Sequence, residues 1–149
     1  MGLIRSIISI TVVVLILYVL YKLFIKHGVV ETFTKSHPVI NQLQNKLKAV
    51  HPIIGKCTIL KGDESYTLNK NKIYLCLADK KTNKLYDENM LTYVLLHEIA
   101  HMLNTGNPNP EDDVGHTPQF HKKFDELLAK AESLGLFDPS IPLIEDYCE

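Results

Sequence analysis

The sequence predicts an α+β domain behind an N-terminal transmembrane helix, and three features carry that prediction. Residues 6–21 read SIISITVVVLILYVLY without a charge. Between residues 57 and 77, three short β-rich runs are separated by polar turns. Residues 89–103 and 120–134 then carry apolar side chains at helical spacing. A chain of 149 residues suffices for one small domain with a core of its own.

The first feature sets the expected organisation. Leu23, Phe24 and Ile25 continue the apolar run past Lys22, whose aliphatic stem can snorkel, so about 20 residues are long enough to span a bilayer. Tyr18 and Tyr21 suit a membrane interface, and no small-residue cleavage pattern follows. The expectation is an uncleaved single-pass anchor over 1–27, with the lipid bilayer as a partner, and one domain over 28–149. Lys22, Lys26 and Lys35 outweigh Arg5, which places that domain on the cytoplasmic side. The start Met1-Gly2-Leu3-Ile4-Arg5-Ser6 also fits the short myristoylation pattern.

Charge argues against a nucleic-acid partner. Residues 28–149 hold 13 Lys, no Arg and 17 Asp and Glu, a net of −4. The local basic cluster of Lys70, Lys72, Lys80, Lys81 and Lys84 reads as a solvated hairpin, so no direct nucleic-acid binding is expected. Three cysteines, Cys57, Cys76 and Cys148, show no C-x-x-C spacing. The odd count argues against a closed disulfide framework: Cys57 and Cys76 read as core residues, Cys148 as a free thiol, and a reducing compartment fits.

Along the domain, Ser36-His37-Pro38 reads as a helix start, and Val39, Ile40, Leu43, Leu47 and Val50 give an amphipathic stripe ending near His51-Pro52. His37 and His51 read as polar boundary residues. Cys57-Thr58-Ile59-Leu60, Ser65-Tyr66-Thr67-Leu68 and Ile73-Tyr74-Leu75-Cys76-Leu77 have strand character, predicting a small sheet that is antiparallel at least in part. Its edge can align an extended peptide by backbone pairing. Asp87 is suited to cap the next helix.

That helix carries His97-Glu98-Ile99-Ala100-His101. Positions four apart share a helical face, so His97 and His101 can direct two imidazole nitrogens at one Zn2+ ion. Glu98 lies one step round and stays free to hold a proton as a general base. A catalytic zinc takes a third protein ligand, and the candidates are His116, His121 and the acidic trio Glu111, Asp112 and Asp113. The acids read as a solvated loop, and spacing mildly favours His116. Thr117-Pro118 then looks like a cap and first turn for a helix with Phe120, Phe124, Leu127, Leu128, Ala131 and Leu134 as its stripe, closed by Gly135. Pro139 and Pro142 exclude a long helix beyond it.

HEIAH followed after a loop by GHTPQFHKKF resembles the WLM/SprT group of zinc metalloproteases, with HExxH and then G-H-x-x-F at the head of the next helix. The resemblance covers roughly residues 65–134. It implies a zincin-like domain, a small sheet packed on the HExxH helix and the helix after it. It also implies zinc ligands His97, His101 and His116, with Glu98 catalytic and His121 a neighbour that can donate on the substrate side. The chain lacks the DNA- and ubiquitin-directed modules of nuclear members of that group.

The reading is a membrane-anchored zinc metalloendopeptidase that cleaves peptide bonds with zinc-activated water. One alternative is a structural or adaptor protein with a non-catalytic zinc. Another is a zinc hydrolase of a non-peptide bond. His121 and Tyr93 are candidate oxyanion donors, each more simply structural.

Overall fold

The computed structural model of the chain describes residues 12–18, 37–104 and 115–149. The chain divides into two compact units, Met1–Lys35 and Ser36–Glu149. In the first, residues 12–18 are helical, and no described helix is long and apolar enough to cross a membrane. This overturns the single-pass anchor over 1–27, together with the membrane localisation and cytoplasmic orientation derived from it. A span needs about 20 apolar residues in one continuous helix, and the described helix over 12–18 falls short of that length. Gly2, Arg5, Lys22, Lys26 and Lys35, on which lipidation and orientation were read, lie outside the described residues.

The second unit opens with helix α1, Pro38–Leu47. Its cap is His37, whose Nδ1 accepts from the Val39 amide at 3.3 Å; Ser36, the first residue of the expected helix start, lies outside the described residues. His51 does the same for the 3-10 turn Pro52–Gly55, accepting from the Ile53 amide at 3.2 Å. Both border histidines thus use a ring nitrogen to satisfy a helix terminus. Ile40, Leu43 and Leu47 form the buried face of α1.

Three short strands follow: β1 (Thr58–Lys61), β2 (Tyr66–Leu68) and β3 (Lys72–Leu75). Their order is β1-β3-β2, with β1 parallel to β3 and β2 antiparallel to it. Asn69 and Lys70, at φ 51° and 52°, make the tight turn from β2 into β3. Two successive left-handed residues match the right-handed twist of a hairpin. No described strand pairs with the outer edge of β2.

Helix α2, Glu88–Leu103, is capped by Asp87, which accepts from the Met90 amide at 2.8 Å. It packs on the sheet, on α1 and on helix α3, Pro118–Ser133. Leu91, Leu95, Leu96, Ile99 and Ala100 are all sealed from solvent. A helix covered on several sides needs apolar residues all round, as its sequence shows. Thr117 caps α3 by accepting from the Phe120 amide at 3.1 Å, and Gly135 turns away from its end at φ +68°.

Beyond α3 the chain straps across the domain. Asn89 and the backbone of Asp138 exchange two hydrogen bonds, at 3.1 and 2.8 Å. Cys148 is joined to Cys76 in a disulfide, with Cα atoms 6.3 Å apart. This corrects the expectation of unpaired thiols and removes the argument for a reducing compartment: an odd count only requires one cysteine left over, and that cysteine is Cys57. Partners 72 residues apart carry no local spacing signal. Closing a loop of that length restricts the unfolded chain by about 4 kcal/mol. Accordingly, Cys148→Ser is expected to lower the unfolding free energy by about that amount in urea titrations without reductant, and a midpoint equal to wild type would show the bond adds nothing.

Candidate metal centre and active site

Three imidazoles meet where α2 and α3 cross. His97 and His101 project from adjacent turns of α2, their Nε2 atoms 3.2 Å apart. His116 comes from the segment leading into α3, its Nε2 also 3.2 Å from that of His97. The ligand atoms of all three lie within 4.8 Å of one another. Nitrogens held at about 2.0–2.1 Å from one tetrahedral ion lie roughly 3.3–3.4 Å apart, so the cluster has the dimensions of a metal site. The three histidines can hold a metal ion.

Local structure explains the convergence. Gly115, at φ +84°, turns the chain just before His116, a conformation that favours glycine. Asn104 caps the end of α2, donating from Nδ2 to the Gly115 carbonyl at 3.0 Å and accepting from the Thr117 hydroxyl at 3.3 Å. It thereby ties both flanks of residues 105–114 together. Phe120, one turn beyond His116, supplies a common floor: its ring centroid lies 5.0, 4.4 and 4.6 Å from those of His97, His101 and His116.

Glu98 is 5 % exposed and opens onto the same cleft of about 490 Å³, which is also walled by residues of β2 and its turn, Ser65, Tyr66, Thr67, Asn69 and Lys70. The Thr67 hydroxyl lies 2.8 Å from Glu98 Oε2 and 2.9 Å from the Glu98 carbonyl. Lys70 reaches over the end of α2 and donates to the Asn104 carbonyl at 2.8 Å. A larger groove of about 640 Å³ lies elsewhere, along Lys46, Glu88 and Asp138, and contains no histidine.

The remaining candidates separate clearly. His121 is exposed on the first turn of α3, its ring 6.2 Å from that of His116 and outside the convergent set. Tyr93 packs edge-on against Phe124 and tilted on Phe137, away from the cleft lining. Glu111, Asp112 and Asp113 lie outside the described residues. Sequence reasoning missed Thr67 and Asn104. Asn104 had a local signal, a polar residue just past an apolar helix; Thr67 had none, being 31 residues from its partner.

Burial is the main cause that lowers the pKa of His97 to about 4, helped by neighbouring His101, His116 and His121. His101 falls to about 4 through burial and His116. Burial raises the Glu98 pKa, opposed by the Thr67 hydrogen bond. Neutral imidazoles keep their lone pairs available for a cation.

For the metal-free protein this has a definite sign. Folded values near 4 lie below the ordinary 6.5, so the unfolded chain takes up the two protons first as pH falls. Stability is full above about 6.5 and is lost as pH drops toward 4. The urea midpoint of zinc-free protein is expected to fall over that window more steeply than that of His97→Ala/His101→Ala; equal slopes would contradict it.

The chain is similar to three viral proteins. It is 39% identical over 119 residues to uncharacterized protein 136R of Invertebrate iridescent virus 6, covering 78% of this chain and 60% of that protein. It is 40% identical over 96 residues to uncharacterized protein 042R of Invertebrate iridescent virus 3, covering 64% and 56%. It is 34% identical over 113 residues to uncharacterized protein R325 of Acanthamoeba polyphaga mimivirus, covering 72% and 51%. The matched part thus spans half to three fifths of these relatives. No known family profile matches the chain, and no solved structure matches it.

Proposed function

We propose that this chain is a zinc-dependent endopeptidase of the WLM/SprT type, with His97, His101 and His116 as metal ligands and Glu98 as general base. The observation that carries the reading is a buried carboxylate beside a three-imidazole cluster but outside its ligand set. A metal that only stapled the fold would have no use for an ionisable group at that place.

When bound, zinc supplies Lewis acidity and makes water ionisable near neutral pH. Glu98 takes the proton from the attacking water and later delivers it to the leaving amine. The raised Glu98 pKa brings it closer to the range in which both transfers are feasible. The edge of β2 that no described strand covers belongs to the strand walling the cleft, so an extended peptide can pair with its backbone and lay a scissile bond across the histidines. Protein or peptide is therefore the substrate class.

The test is hydrolysis of labelled casein by zinc-loaded protein, with and without chelator. Glu98→Gln is expected to retain zinc while losing at least about 100-fold in turnover, the scale of acid–base catalysis. Wild-type turnover in that variant would refute the assigned base. His116→Ala is expected to lose zinc affinity, and His121→Ala to keep it; the reverse result would reassign the third ligand. Zinc retained without hydrolysis would favour a structural metal.

A further inference from the structure

We propose that Thr67 is a positioning residue for the general base: its hydroxyl holds Oε2 of Glu98 so that Oε1 is the oxygen presented to the reacting water. The inference rests on the peptidase reading above but is carried by a separate observation, the contact between strand β2 and helix α2.

A carboxylate that must exchange a proton with water needs one oxygen exposed to it and a fixed plane. Glu98 Oε2 lies 2.8 Å from Thr67 Oγ1, and no described residue bonds Oε1. The same hydroxyl lies 2.9 Å from the carbonyl of residue 98, which competes for its single proton, and the charged carboxylate oxygen is the stronger acceptor of the two. When Oε1 has taken a proton, Oε2 still accepts from Thr67, and the carboxyl keeps its orientation through both transfers. Thr67 neither gains nor loses a proton over the cycle. Its β-branch restricts χ1, which directs the hydroxyl before Glu98 is engaged.

The strand that carries Thr67 is pinned at both ends. At its start, Ser65, Tyr147 and Cys76 form a closed ring of hydrogen bonds. The Tyr147 hydroxyl donates to the Cys76 carbonyl, the Cys76 amide donates to Ser65 Oγ at 2.9 Å, and Ser65 Oγ lies 3.0 Å from the Tyr147 hydroxyl. With the Tyr147 proton committed to Cys76, Ser65 is the donor of that last bond. The adjacent Cys76–Cys148 disulfide locks this ring covalently. At its far end Lys70 is bonded to the Asn104 carbonyl. A strand of three residues clamped in this way is a rigid support.

The experiment compares Thr67→Val, which keeps the shape and removes the hydroxyl, with Thr67→Ser, which keeps the hydroxyl, in zinc-loaded full chain on labelled casein. Thr67→Val is expected to lose about 10- to 100-fold in kcat, the cost of slightly misplacing a reacting group, with zinc stoichiometry unchanged and KM within about threefold. Thr67→Ser is expected to recover most of that loss. An unchanged kcat in Thr67→Val, or a Thr67→Ser variant as slow as it, overturns the proposal and leaves the peptidase reading standing. A second measurement needs no turnover: urea unfolding of Thr67→Val, Glu98→Ala and the double variant. The Glu98→Ala chain retains the backbone carbonyl as the remaining acceptor of the hydroxyl, so the cycle reads what the carboxylate contact adds over that carbonyl. Thr67→Val is expected to shift the midpoint at least about twice as far in the wild-type background as in Glu98→Ala, as contacting groups do. Equal shifts overturn the contact even if the chain cleaves no peptide, an outcome that by itself would count against the peptidase reading alone.

Discussion

Three imidazole nitrogens pointed at one spot are the constraint on which this structure turns. His97 Nε2 lies 3.2 Å from the Nε2 atoms of both His101 and His116, within hydrogen-bond reach of each, and the rings are partly withdrawn from solvent. The arrangement survives because the helices that carry the rings are held by other forces. Burial of Leu95, Leu96, Ile99 and Ala100 fixes α2, and Phe120 fixes α3 against it while packing on all three rings. Apolar burial, which has no directional preference, thus sustains a polar convergence that can hold a cation.

The sheet has a different task from the helices. It contributes no ligand, but β2 forms one wall of the cleft and brings Thr67 against Glu98. Its three residues gain little from their own pairing, which is why both ends are tied down elsewhere. One tie is the Ser65–Tyr147–Cys76 ring, where burial drives the Tyr147 pKa up to about 12 and keeps the phenol a donor at any ordinary pH. The other is Lys70, whose ammonium sits at the carbonyl end of α2, where the helix dipole favours positive charge. Fold staples and site geometry are therefore one network.

Much of the helical framework was legible in the residues. Asp87 and Thr117 announced the starts of α2 and α3, and Gly135 the end of α3, because caps and closing glycines act within a turn of their position. His97 and His101 were paired by helical period alone. The apolar N-terminal run misled in the other direction: its composition satisfied a membrane reading, while no described helix has the length to cross one.

By itself, then, the sequence determined what depends on near neighbours: helix periods, caps, the polar turn over 69–72, and the pairing of His97 with His101 on one helical face. Only the tertiary structure decided what depends on distant residues meeting. It chose His116 over His121 for the convergent set, paired Cys76 with Cys148, and set Thr67 on Glu98. Each of these joins elements through packing directions that no local spacing encodes. The parallel pairing of β1 with β3 belongs with them, since it depends on where the chain crosses the sheet and not on the strands' own residues.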